Sequence, residues 1–269
     1  MALDKTEAIV LKAFNWSESS RTVVFFSREF GKLPLTDKGG RRLISKRGRL
    51  VPFARLEITF YSSEKETNGY VSDVELLEAL TFEKDGTLGR LAYGSAACEL
   101  LYLLLPDEEP QGALYSYFLA YLRMDDICDK HGLPGLFIAF FLRTLSQLGY
   151  HPSLAYCVGC GKDFDETGAN GSEVLFSPER GGRVCPACQR VGEYYIGLSP
   201  EGYATLCRLQ TASLTEAVAE PLRYADAARL VETLTKFLSY QAGIKSDLKS
   251  LEFLEKLRTT HLSPENKQP

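Results

Sequence analysis

The chain has 269 residues, of which 45% are hydrophobic and 25% charged, enough apolar material for a substantial core and two or three domains. The formal net charge of -4 by itself points neither toward nor away from nucleic acid. No apolar stretch reaches spanning length without charge or turn residues, and Met1 to Leu11 carries Asp4, Lys5 and Glu7; membrane-spanning and secreted disulfide-scaffold classes are excluded, and a soluble cytoplasmic protein is expected.

The first 80 residues read as strands: Glu7–Phe14, Arg21–Ser27, Leu33–Thr36 after a turn at Glu29–Lys32, Leu56–Tyr61 and Tyr70–Leu76. Five short strands in that length predict a small, curved antiparallel barrel, and pattern alone does not separate an oligonucleotide-binding barrel from an SH3-like one. Charge is concentrated here. Arg28, Lys32, Lys38, Arg41, Arg42, Lys46, Arg47, Arg49 and Arg55 face only Glu29 and Asp37, a local +7, whereas residues 81–269 have 18 basic and 24 acidic residues. The segment Lys38 to Arg49 falls between strands, and nucleic-acid phosphates are its natural counterpart. It has no Gly-x-x-x-x-Gly-Lys-Ser/Thr pattern for a nucleotide. Phe14, Trp16, Phe53 and Tyr61 are aromatics that could stack on bases, each competing with a core role.

From Leu88 the period becomes helical. Leu88–Leu104, Gly112–Cys128 and Leu136–Leu148 read as helices, the third apolar almost all round and hence the buried centre. Cys98, Cys128 and Cys207 read as core thiols, and His131 and His151 as loop or capping residues. Asp125 and Asp126 are adjacent and so do not face one metal together from a helix; Asp163 and Asp165 have no third carboxylate or base at a useful spacing.

The four remaining cysteines form two knuckles, Cys157-Val158-Gly159-Cys160 and Cys185-Pro186-Ala187-Cys188. Each puts two sulfurs on one turn, and a loop between them brings the pairs together, which is what a closed tetrahedral thiolate site needs. Zinc is the expected metal, with iron as the alternative that four sulfurs do not separate. A short strand at Val174–Ser177 and a turn at Gly181–Arg183 complete a ribbon-like hairpin. Beyond it, Ser199 caps a helix with Pro200 first; Arg223–Tyr240 is a long helix ended by Gly243; and Leu248, Leu251, Leu254 and Leu257 mark the last, followed by a frayed tail.

Several motifs resemble the bacterial recombination mediator RecO family. They are Thr6–Lys12, Glu18–Val23, Phe26-Ser27-Arg28-Glu29-Phe30-Gly31-Lys32, the basic loop Lys38-Gly39-Gly40-Arg41-Arg42, and Gly243–Leu251 with its lysine-serine pair. The stretch Thr67–Asp73 departs from the family's usual entry to the fifth strand. The resemblance covers essentially the whole chain. It implies an α+β protein: a five-stranded OB-fold DNA-binding barrel at 1–80, an all-helical domain at 81–152 and 197–260, an inserted four-cysteine zinc module at 153–196, and a tail at 261–269. It also implies binding of single- and double-stranded DNA, annealing without ATP, one structural zinc, and work with RecR, single-strand-binding protein and possibly RecF to load RecA, in the cytoplasm at the nucleoid. A recruitment scaffold with incidental DNA binding is the alternative; an enzyme is not expected.

Overall fold

The computed structural model describes residues 2–15, 18, 20–38, 50, 52–62, 69–163, 173–220, 222–244 and 248–261. The chain divides into two units, one of Met1–Lys84 with Ala97–Ile127, the other of Asp85–Ala96 with Cys128–Pro269.

In the first unit, strands β1 (Ala2–Asn15), β2 (Arg21–Ser27), β3 (Gly31–Asp37), β4 (Arg55–Ser62) and β5 (Gly69–Glu78) follow the β-branched and aromatic runs of the sequence. Alternation on β3 and β4 turns one face inward, where Leu33, Leu35, Leu56, Ile58 and Phe60 pack with Val23, Phe25, Val71 and Val74. Strand β2 breaks the alternation because it is covered on both sides. Val23 and Phe25 enter the sheet's core, while Phe26 lies 5.6 Å from Tyr115 and 6.3 Å from Phe118 of helix α2 (Gly112–Ile127).

The strands pair in the order β1-β2-β3-β5-β4, and β1 with β4 brings the ring round. The expected fold class is corrected at this sheet. The sheet is not the antiparallel barrel expected. Its seam, β3 with β5, is parallel and has only two residue pairs, Leu35 with Gly69 and Thr36 with Tyr70. Gly69 is required at that seam, since a Cβ there would overlap the Tyr61 carbonyl. Alternation predicts strands and their inward faces, but edge pairing is non-local and the local pattern does not encode it.

In the C-terminal part, the hairpin expected at Val174–Ser177 and Gly181–Arg183 gains a third strand. Strands β6 (Val174–Ser177), β7 (Gly182–Val184) and β8 (Ile196–Leu198) form an antiparallel sheet in the order β7-β6-β8. Three residues of β8 are too few to show a period. Helix α1 (Thr87–Leu104) contributes to both units, and α2 belongs with the five-stranded sheet.

The centre of the second unit is α3 (Leu133–Gln147), buried on nearly every side as its composition predicts. Helices α4 (Pro200–Thr211), α5 (Leu214–Ala219) and α6 (Tyr224–Ala242) pack on it, and α7 (Lys249–His261) follows. Gly135 lets α5 approach, because a Cβ there would sit 2.5 Å from the Ala217 carbonyl oxygen. Helix α5 itself, unread in the sequence, is held by a capping box of Ser213 and Glu216. Arg90 is buried and donates to the carbonyls of Asp85 (3.1 Å) and Cys128 (2.6 Å). Among the described residues no helix is long and apolar enough to cross a membrane.

Candidate metal centre and nucleic-acid interface

The first knuckle closes through local hydrogen bonds. Gly161 N–H donates to the Cys157 carbonyl (2.8 Å), Cys157 N–H to that of Lys162 (3.0 Å), and Gly161 takes φ +69°. In the second, Pro186 opens a 3-10 turn in which Cys188 N–H donates to the Cys185 carbonyl (2.9 Å). Val158 N–H donates to the Arg183 carbonyl (2.9 Å), tying the first knuckle to β7.

The four sulfurs of Cys157, Cys160, Cys185 and Cys188 lie within 4.8 Å of one another, with Cys160 and Cys185 at 3.9 Å. A tetrahedral ion with metal–sulfur bonds of about 2.3 Å sets its sulfurs about 3.8 Å apart, so this donor set fits one metal ion with all positions filled by protein. Cys157 is buried and Cys160 exposed. Desolvation raises the Cys157 thiol, but N–H groups of Cys185, Gly159 and Cys160 outweigh it and bring it down to about 6. Hydrogen bonding with Cys185 and Cys160 pushes Cys188 up to about 12. Thiols so close share protons, and a bound cation would replace them.

Arg180 supports both knuckles, a role the sequence did not signal because it works through backbone and packing. It donates to the Cys188 carbonyl (2.9 Å) and pairs with Glu193 (3.4 Å). It also packs against Gly159, where a Cβ would overlap its guanidinium and come 2.7 Å from Cys188 Cβ. The knuckle glycine is therefore demanded by close approach.

The cations expected to hold nucleic acid fall into three groups. Arg41, Arg42, Lys46, Arg47 and Arg49 lie outside the described residues. Lys32 and Arg55 are engaged inside the first unit. Lys32 pairs with Asp107 (3.1 Å) and donates to the Tyr102 carbonyl (3.3 Å), and Arg55 makes two hydrogen bonds to Glu7 (2.7 and 3.1 Å). The hydrogen bond from Arg55 holds Glu7 below the usual carboxylate range. Arg28 and Lys38 are exposed; the Arg28 guanidinium makes long contacts to Glu7 (3.9 Å) and Glu29 (4.0 Å), and the Lys38 ammonium sits 3.5 Å from the Tyr70 ring centroid.

Among the aromatics, Phe53 is core, against Phe82 at 4.9 Å, while Phe14 and Tyr61 are exposed and Trp16 lies outside the described residues. Phe14 rests on Tyr102 (6.0 Å), with the Lys12 ammonium over both rings. The two adjacent acids diverge: Asp125 is buried, and Asp126 accepts from Phe82 N–H (2.8 Å).

A small cation-bearing sheet, joined in one chain to a helical unit with a four-thiolate centre, defines a two-unit α+β protein. Residues 1–80 match the family described as Recombination protein O N terminal, and residues 86–252 that described as Recombination protein O C terminal. The chain is 34% identical over 260 residues to the DNA repair protein RecO of Symbiobacterium thermophilum, covering 96% of this chain and 99% of that one. It is 31% identical to the DNA repair protein RecO of Anaeromyxobacter dehalogenans strain 2CP-C (94% and 96% covered) and 28% identical to that of a Nocardioides species (94% and 100%). The chain belongs to the RecO family.

Proposed function

We propose that this protein is a DNA repair and recombination mediator that binds single- and double-stranded DNA and anneals complementary strands without ATP. The observation that carries this reading is the family match along both halves of the chain, with relatives printed as DNA repair proteins. The family is one of non-catalytic mediators, and on that ground the chain is not an enzyme.

The chemistry is electrostatic. Lys38 and Arg28, exposed, and Arg41, Arg42, Lys46, Arg47 and Arg49, read from the sequence, neutralise phosphates; Lys32 and Arg55 shape the surface through their ion pairs. Neutralised backbones repel one another less, so two strands find register sooner. One zinc ion bound by Cys157, Cys160, Cys185 and Cys188 stabilises the second unit. Its closed donor set supplies folding energy and leaves no position for substrate. By family, the partners are RecR and single-strand-binding protein, the outcome is RecA loading, and the place is the cytoplasm at the nucleoid.

The test is binding of a fluorescent single-stranded oligonucleotide across a salt series, followed by annealing to its complement without ATP. Affinity should fall with salt, and annealing should accelerate. Replacing Arg41 and Arg42 together with Ala should flatten the slope by about 1.4 for single strands and weaken all sequences alike. Salt-independent binding, or no annealing by folded, metal-loaded protein, would reject the reading.

A further inference from the structure

Register places an apolar and aromatic row on the outer face of the five-stranded sheet. Leu3 on β1 pairs with Tyr61 on β4, Tyr61 with Tyr70 on β5, and Tyr70 with Thr36 on β3. Phe60 and Val71, beside the two tyrosines in sequence, point into the core, so the tyrosines face out. Leu3 is 58% exposed and Tyr61 39%, while Tyr70 is half-buried beneath the Lys38 ammonium. Neighbouring strands lie about 4.8 Å apart, so Tyr61 and Tyr70 are neighbouring positions on this face.

The charges around the row select its occupant. Lys38 stands at one end, and five further cations, Arg41, Arg42, Lys46, Arg47 and Arg49, follow it in sequence. On the same face lie Lys5 and Thr59, two residues along their strands, and Asp73, three along β5 past a bulge, and beyond them Glu7, Glu57 and Glu75. Lys5 pairs with Glu57 and Arg55 with Glu7, and with Asp73 and Glu75 added the stretch keeps a net negative charge that repels a phosphate backbone. An anionic chain with flat apolar groups is therefore confined to the row beside Lys38.

We infer that Tyr61, flanked by Leu3, Tyr70 and Lys38, is a stacking platform for the unpaired bases of single-stranded nucleic acid. The inference rests on the nucleic-acid reading above and adds to it a site and a strand preference. Bases in a duplex already stack on one another, so only an unpaired base can offer its face to a tyrosine, and any base can do so.

Affinity for a single-stranded oligonucleotide, its duplex, and an abasic strand of equal length would be measured for the wild type, Tyr61→Ala, Tyr61→Phe and Tyr61→Ala/Tyr70→Ala. Tyr61→Ala should weaken single-strand binding about fivefold to a hundredfold, leaving duplex binding and the salt slope unchanged. Tyr61→Phe should restore it, and wild type should bind the abasic strand as weakly as Tyr61→Ala binds the normal one. Tyr61 is exposed, so the single variant decides the matter even if the double variant fails to fold. Unchanged single-strand affinity, or equal loss for both DNA forms, would overturn the platform while leaving the mediator reading intact. So would a fall in sedimenting mass at unchanged DNA affinity, which would make the row a contact between copies of this chain. Wild-type protein that binds no DNA would overturn both.

Discussion

The five-stranded sheet and the three-stranded sheet beside the cysteine knuckles are held together by different means. The first encloses its own core, including Phe25, Leu35, Ile58 and Phe60, each nearly inaccessible. The second buries Val174, Phe176, Val184, Ile196 and Leu198, with Phe176 6.1 Å from Phe237 of α6, and has Arg183 packed over Tyr203 at 4.9 Å. Of the knuckle cysteines Cys157 is buried, but Cys160 is exposed and Cys185 and Cys188 are half-buried. A segment with so little apolar cover needs another source of stability, and four thiolates on one ion supply it. Apolar burial and metal ligation thus do equivalent work in two places of one chain.

The sharpest way to break this comparison is to remove a ligand. Cys157→Ser should release the metal and destabilise the knuckle region by more than about 4 kcal/mol. Hydrogen exchange should then rise across residues 153–198 while the five-stranded sheet keeps its protection. A metal-free variant with wild-type protection would show that the knuckles hold without metal. Elemental analysis of the wild type should find one zinc per chain.

Next in size is the reciprocal change. Phe60→Ala should cost about 3–5 kcal/mol in the first unit, seen as a lower denaturation midpoint there, with metal content unchanged. Loss of zinc in that variant would mean that the two regions depend on one another.

The smallest effect is electrostatic. Hydrogen bonds from Arg55 to Glu7 and from Arg123 to Glu78 lower both carboxyl pKa values below 4.5. A lowered folded-state pKa adds stability above the unfolded value, and that stability is lost as pH falls through the folded value. Urea midpoints of the first unit should therefore be flat above about pH 5 and decline below 4.5, by on the order of 1 kcal/mol for the Glu7 pair. Glu7→Gln should remove most of that dependence; an unchanged profile would place the acid sensitivity elsewhere.

Much of this was legible without coordinates. Knuckle spacing announced the thiolate cluster because ligation is local: two residues between cysteines suffice to put two sulfurs on one turn. Apolar periods announced the helices other than α5, α3 as the buried centre, and all five strands of the first sheet. Gly243 as the end of α6 followed from the same logic, and it takes φ +67° there.

What only the tertiary structure decided is everything that depends on residues far apart in sequence. The two-pair parallel seam at Gly69, the three-residue β8 and the packing of Arg180 across both knuckles have no local period to betray them. The same holds for the cations. A run of nine basic residues looks uniform in sequence, yet Asp107 claims Lys32 and Glu7 claims Arg55, while Lys38 stays at the surface over Tyr70. Composition determines how much charge a segment carries; the partners brought by the fold determine which of those charges can meet a ligand.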